Sequence, residues 1–157
     1  MKPLVRRYVA VTVIRNSVVM RCTPEEAFDF LSDHRSELEW NPGCQEMVKL
    51  TDGPVGLGTR YRAKWKAGPR VELETVAFDR PRAWSVHNGG PIELLFTCTL
   101  DPVPEGTRLT AEFEPTPHGL FRLAYPLFRL NFQRQEKKNM GYLKETLERR
   151  GGVKAKD

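Results

Sequence analysis

The side chains best suited to moving protons in this sequence are His87 and four glutamates, Glu72, Glu74, Glu112 and Glu114. Alternation along one strand-like run puts Trp84, Val86 and Asn88 on one side and Ser85 and His87 on the other. If the second side is concave, His87 can donate or accept a proton inside a pocket, because imidazole titrates near neutrality. Strand register (below) commits Glu72 and Glu74 to surface ion pairs, so Glu112 stands beside His87 as the acid–base candidate. No Gly-x-Ser-x-Gly occurs and no Ser, His and acid arrangement is visible, so the sequence carries no catalytic motif.

Other chemistries find less support. His34 and His118, like His87, lack a second ligand at metal spacing, and capping or solvent roles are expected for them. Cys22, Cys44 and Cys98 are odd in number and form no Cys-x-x-Cys, which points to reduced thiols in a cytoplasmic protein. No metal and no cofactor is expected. The stretch Gly53 to Thr59 is rich in glycine, but it lacks the Gly-Lys-Ser/Thr ending of a phosphate loop and leads into a strand. A tight turn accounts for it.

Aromatic residues make the stronger pattern. Tyr61, Trp65, Phe96 and Phe113 fall on strand faces read as apolar, and Trp40 and Trp84 are expected near the ends of the same pocket. With Leu127 and Leu130 from the terminal helix, they are the candidate lining for a small hydrophobic ligand, unless they simply fill core. The segment Leu120 to Phe132 is apolar on more than one side and carries Arg122 and Arg129 seven apart. Such a helix needs a second burial partner. The alternatives are a homodimer contact, a membrane surface met by Arg122, Phe128 and Arg129, a lid over the pocket mouth, or packing on two short helices.

The elements that must position these residues can be read in order. Tyr8 to Arg21 is a strand, with a bulge or bend expected at Asn16-Ser17. Thr23-Pro24-Glu25-Glu26 starts a helix with a capping box, and a second short helix ends at Trp40-Asn41-Pro42-Gly43. From Cys44 to Glu114, turn residues recur often enough for hairpins but leave no room for crossover helices. With Gly68 as a turn centre, Lys64 faces Glu72, Arg62 faces Glu74, Trp65 faces Val71, Ala63 faces Leu73 and Tyr61 faces Thr75. In a later hairpin Cys98 faces Leu109, Phe96 faces Ala111 and Leu94 faces Phe113, with Thr97 and Thr99 against Thr110 and Arg108 on the other side.

A long helix follows from about His118 to Arg150. Leu120, Leu123, Leu127, Leu130, Met140, Leu143 and Leu147 mark its apolar side, and Pro126 is expected to kink or split it. Gly151-Gly152 is read as its stop. The chain is thus a single domain over residues 1–150 with a charged tail at 151–157. A bent antiparallel sheet with one apolar face must be covered, and this helix is the element able to do it. A pocket between helix and sheet follows.

Composition agrees with one globular domain: 157 residues, 39% hydrophobic and 29% charged. No run of about 20 apolar residues occurs. The opening Met-Lys-Pro-Leu-Val-Arg-Arg-Tyr lacks the apolar stretch of a secretion signal. The net charge of +5 is concentrated in Pro117 to Asp157, where ten Lys/Arg meet four Asp/Glu. That basic segment suits an acidic surface or a solvated helix face.

This order resembles the Bet v 1-like, START-related (SRPBCC) superfamily with the α+β helix-grip fold. In particular, the chain is similar to the polyketide cyclase/dehydrase and lipid-transport group. The phrases that carry the resemblance are Thr23-Pro24-Glu25-Glu26-Ala27-Phe28-Asp29-Phe30-Leu31-Ser32-Asp33, Trp40-Asn41-Pro42, and Gly53 through Tyr61. Asp79-Arg80-Pro81, Gly106-Thr107-Arg108-Leu109 and Leu143 through Glu148 extend it over roughly Val9 to Arg150. The resemblance implies a curved sheet of about seven strands, two short helices and a long C-terminal helix around a ligand cavity. It implies no shared catalytic set. The expected function is binding of a lipid-like or aromatic/polyketide molecule. The alternatives are a polyketide aromatase/cyclase-type enzyme, and a membrane- or partner-binding module using the basic aromatic helix. Nucleic acid has no recognition motif in its favour.

Overall fold

The computed structural model describes residues 12–154. Strand β1 (Ile14–Met20) is followed by helix α1 (Pro24–Leu31), a 3-10 turn at His34–Ser36, and helix α2 (Glu37–Trp40). Six strands come next: β2 (Cys44–Lys49), β3 (Arg60–Trp65), β4 (Val71–Asp79), β5 (Ala83–Asn88), β6 (Ile92–Val103) and β7 (Gly106–Pro117). Helix α3 (Phe121–Lys154) closes the chain. The strands form one antiparallel sheet in the order β1-β7-β6-β5-β4-β3-β2. Consecutive strands β1 and β2 therefore occupy opposite edges, and α1 and α2 span the gap between them. This is the helix-grip architecture, with α3 packed on β1 and β7 and touching α2.

Local chemistry explains the first turn. Thr23 Oγ1 accepts the amide of Glu26 at 3.1 Å, the Glu26 carboxylate accepts the Thr23 amide at 3.0 Å, and Pro24 fills the first helical position. The capping box thus satisfies two donors that the helix start would otherwise leave bare.

Both hairpin registers differ from expectation by two residues. Arg62 pairs with Glu72, Ala63 with Val71 and Tyr61 with Leu73, rather than each with the residue two further on. The cause lies in the loop, where Lys64 Nζ donates to the carbonyls of Trp65 and Gly68 at 2.7 Å each and so serves the turn instead of Glu72. Gly68 holds φ +95, a backbone region that favours glycine. In the later hairpin Cys98 pairs with Ala111, Phe96 with Phe113 and Leu94 with Pro115. There Gly106 starts β7 at φ +138, where a Cβ would lie 2.1 Å from the Met20 carbonyl oxygen. A shift of two preserves every side-chain face, so the apolar and charged sides are those expected.

Three further expectations are corrected. The pairing of β1 with β7 runs unbroken from Ile14 opposite Phe113 to Met20 opposite Thr107, so no bulge occurs at Asn16-Ser17. The alternating residues Val9 to Val11 expected in that strand lie outside the described residues. Helix α3 is one element through Pro126, so the alternative that Pro126 splits it is excluded; the proline sits near its start, where few intrahelical bonds are lost. It also continues across Gly151-Gly152 to Lys154. Gly151 lies close to the Arg21 carbonyl at one edge of the sheet, so the helix still meets the fold where glycine propensity would end it.

The core lies where the second half of α3 meets the sheet. Met140, Leu143 and Leu147 are buried with Ile14, Met20, Leu109 and Ala111. A second buried group sits under α1, where Phe28 meets Phe78 at 5.0 Å and Trp84 at 5.3 Å, both edge-on.

Candidate functional site

Helix α3 turns one stripe inward: Tyr125, Arg129, Phe132, Glu136, Asn139, Met140, Leu143 and Leu147 are buried or half-buried, and the stripe widens to Lys144, Thr146 and Glu148 in the last turns. Its lower half is sealed. Its upper half, from Tyr125 to Glu136, lies over a part of the sheet where Leu94, Phe96 and Trp65 keep accessible surface.

An aromatic series runs through this region. His34 meets Tyr61 edge-on at 5.4 Å and Phe96 at 6.3 Å. Phe96 lies against Phe113 at 4.6 Å, Phe113 against Phe132 at 4.9 Å, and Phe132 against Phe128 at 5.6 Å. The line therefore extends from β3 across the sheet to the first turns of α3.

Two carboxyls enter this apolar setting. Glu37, on α2, accepts the Trp65 indole N–H and the Asn41 amide at 2.6 Å each, and both bonds fall on Oε1. Burial pushes its pKa up, against the pull of those two donors. Glu136, on α3, accepts the Asn139 amide at 3.1 Å, and Asn139 in turn accepts from Gln135 at 3.1 Å. Burial first and the Glu37 carboxylate second raise the Glu136 pKa to about 7. Cys98 on β6 is raised by burial first and by the Glu136 and Glu37 charges after it. Burial holds His34 down at about 4, so its ring is neutral at physiological pH. Its Nε2, the Tyr61 hydroxyl and the Trp40 indole N–H are buried with no hydrogen-bond partner among the described residues.

The residues anticipated from sequence divide into two sets. Tyr61, Trp65, Phe96 and Phe113 come together on the face turned toward α3, with Trp40 half-buried at the end of α2. Trp84 is on the same face but is sealed beneath α1 by Phe28. Leu127 and Leu130 are 68% and 47% exposed and point away from the sheet. The reason is phase: the Leu120, Leu123, Leu127, Leu130 stripe does not continue into Met140, Leu143 and Leu147 at 3.6 residues per turn, whereas Tyr125, Arg129, Phe132 and Glu136 do. Arg129 thus sits half-buried on the inward stripe, apart from exposed Arg122.

His87 is on the outer face. Its Nε2 lies 2.7 Å from Glu93, whose other oxygen is 3.1 Å from His118 Nε2. Glu112 is also outward, paired with Arg15. Glu72 pairs with Arg60, while Glu46 collects Arg62 and Arg70. The shifted titratable groups of the interior include instead His34, Glu37 and Glu136, and projecting the Met140–Leu143–Leu147 stripe backwards by threes and fours would have reached Glu136.

Two surface hollows lie elsewhere. One of about 480 Å³ opens between α1 and the end of α3, lined by Asp29, Phe30, Arg35, Glu39 and Arg150. The other, about 290 Å³, is on the outer face beside Arg60, Glu74 and His87. Both are open and charged, and neither touches the aromatic series. Among the described residues no group of three or more His, Cys, Asp or Glu is placed to hold a metal ion. No helix there is long and apolar enough to cross a membrane. The three cysteines are unpaired.

Sheet, gripping helix and interior define a Bet v 1-like, SRPBCC protein, and the comparisons agree. The family described as polyketide cyclase/dehydrase and lipid transport matches residues 11–148, and the chain belongs to it. No curated protein matches by sequence. Among solved structures, the di-domain ARO/CYC StfQ from the steffimycin biosynthetic pathway is similar with a TM-score of 0.71 at 14% identity, covering 89% of this chain and 52% of that one. TTHA0849 from Thermus thermophilus gives a TM-score of 0.66 at 19% identity over 88% and 96% of the two chains. Ara h 8.0201 gives 0.59 at 14% identity over 84% and 97%. At these identities the likeness concerns the fold.

Proposed function

We propose that this chain binds a small hydrophobic molecule, lipid-like or aromatic, between its sheet and the first half of α3. One observation carries the reading. Beneath the second half of α3 the contact residues Ile14, Met20, Leu109, Met140, Leu143 and Leu147 are buried, whereas beneath the first half Leu94, Phe96, Trp65 and Phe132 are only half-buried on the face turned toward the helix. Apolar walls left unsealed inside a fold are what a preformed ligand site requires. Family membership supports the same reading. The test is native mass spectrometry of detergent-free protein, followed by titration with 2-methylnaphthalene. A co-purifying small molecule or a saturable one-to-one adduct supports the proposal. Neither a passenger nor an adduct up to the solubility limit would overturn it.

A second reading, a cyclase-type enzyme acting on a poly-β-keto chain, is favoured by the carboxyls Glu37 and Glu136 inside the apolar interior. Carboxyls whose pKa burial raises toward neutrality can give and take protons on a bound substrate. His87 and Glu112 have no part in it, since both face solvent on the outer side of the sheet. The reading requires turnover to fall in Glu136→Gln while ligand binding persists.

A further inference from the structure

We infer that Tyr125 and Arg129 form an anion-binding end to the ligand site and select a guest that carries a carboxylate on an otherwise apolar body. The inference rests on the ligand site proposed above and names the chemistry of its occupant. Strand β7 ends at Pro117, α3 begins at Phe121, and the Phe132 ring lies 4.9 Å from Phe113, so the helix doubles back along β7. Phe132 also fixes which side of the helix meets the sheet. Arg129 is three residues before it and Tyr125 four before Arg129, so both share that side and are neighbours on the helix surface. Both are half-buried, whereas Arg122, Leu123 and Leu127 beside them are exposed.

The wall they face is apolar. At this end of the sheet the inner positions are Ile92, Leu94 and Phe96 on β6 and Phe113, Pro115 and Pro117 on β7. The acids of these strands lie on the other face, where Glu93 is held by His87 and His118, and Glu112 by Arg15. No Asp or Glu occurs from Pro115 to Gln135 or in residues 1–11. Glu136, the next acid along α3, is seven residues beyond Arg129, about 10 Å along the helix axis.

Arg129 Nε and the Tyr125 hydroxyl are both shut off from water and have no hydrogen-bond partner among the described residues. No ion pair joins Arg129 to a carboxylate there either. Burial raises the Tyr125 pKa and the Arg129 charge pulls it back, as neighbours on one stripe should. An arginine drawn out of water without an acid is costly, and an incoming anion removes that cost. The groups offered are all donors. Nε–H with an Nη–H makes the side-on fork that fits the two oxygens of a carboxylate, and Tyr125 adds an O–H. A carboxylate held there leaves the body of the guest to lie along Phe132, Phe113 and Phe96, whose rings follow one another at 4.9 and 4.6 Å. An ammonium group would meet only donors at this end.

Three naphthalenes with one body separate the cases: 2-methylnaphthalene, 2-naphthamide and 2-naphthoate, titrated into the full chain at pH 7 and read by naphthalene fluorescence. Naphthoate should bind about tenfold or more tighter than the other two. In Arg129→Gln that preference should collapse while methylnaphthalene binding persists, which also reports that the variant is folded. Arg129→Lys keeps the charge without the fork and should retain only part of the preference, and Tyr125→Phe should reduce it severalfold. Arg122→Gln, on the exposed side, should leave it unchanged. If naphthoate binds no tighter than the other two, or Arg129→Gln keeps the preference, or Arg122→Gln removes it as fully, the anion site is overturned and the ligand site stands. Should Arg129→Gln lose methylnaphthalene as well, an intact preference in both Arg129→Lys and Tyr125→Phe overturns the anion site. If none of the three probes binds the parent, both proposals fall.

Discussion

Glu37 accepts the indole N–H of Trp65 at 2.6 Å, and this bond fastens α2 to β3 near the edge of the sheet. The same carboxylate oxygen takes the Asn41 amide, so one acceptor holds two donors from separate elements. Trp65 therefore has its polar tip satisfied while its ring stays on the face turned toward α3. Replacing the carboxylate by a methyl group, Glu37→Ala, strands both donors and should cost about 1–3 kcal/mol in urea unfolding. Glu37→Gln keeps an acceptor and should cost less. Equal losses in the two variants would mean that the bond contributes nothing.

Glu136 makes stability depend on pH. Its folded pKa, about 7, lies above the ordinary value of 4.5, so between these limits the folded state holds a proton that the unfolded state lacks. Stability from this group is full below about 4.5 and is lost as pH rises through about 7. Glu136→Gln removes the loss. It should leave stability near pH 5 unchanged and raise it at pH 8 by up to about 3 kcal/mol, read as the difference from the parent in urea midpoint.

His34 works in the opposite direction. Its folded pKa, about 4, lies below 6.5, so its contribution is full above 6.5 and is lost as pH falls toward 4. Between 4.5 and 6.5 the His34 and Glu136 slopes oppose each other, and the parent curve is correspondingly flat from these two groups. In His34→Phe the Glu136 slope stands alone, and stability should fall steadily from pH 4.5 to 7, whatever offset the larger ring adds. A curve parallel to the parent would refute the burial assigned to His34.

The two leucine sets on α3 should respond differently to truncation. Leu143 is 1% exposed against β1, and Leu143→Ala should cost about 2–5 kcal/mol. Leu127→Ala, on the outer side, should stay within about 0.5 kcal/mol. Thermal or urea unfolding checks both.

The outer side of α3 near its start carries Leu120, Leu123 and Leu127 exposed beside Arg122, and no acidic residue occurs from Pro115 to Gln135. Apolar residues with only positive charge around them suit an anionic lipid surface. The protein should sediment with phosphatidylserine vesicles at low salt, release as salt rises, and lose the effect in Leu123→Ser/Leu127→Ser. Failure to sediment, or a concentration-dependent dimer abolished by the same changes, would replace the lipid surface with another copy of the chain or with nothing.

Element types and faces were legible because they depend on local signals. The Thr23 capping box, the turn residues between β2 and β7 and the alternation of Tyr61, Ala63 and Trp65 each act within a few residues, and a two-residue register error leaves faces intact. His87 shows the limit: alternation separated it from Trp84 and Val86 but did not say which side is enclosed. Glu37 and Glu136 were passed over because a lone charged residue on a helix ordinarily faces solvent, and nothing within a turn of either reveals the other.

Sequence alone thus determined the family, the order of elements and which side chains share a strand face, since periodicity and turn chemistry are short-range. Tertiary structure decided which face is interior, which of two stripes on α3 meets the sheet, and that Glu37 and Glu136, 99 positions apart in the chain, are both drawn out of solvent. The physical reason is that burial and charge coupling depend on what packs from other elements, and helix α3 has two apolar sides that only the sheet and α2 can tell apart.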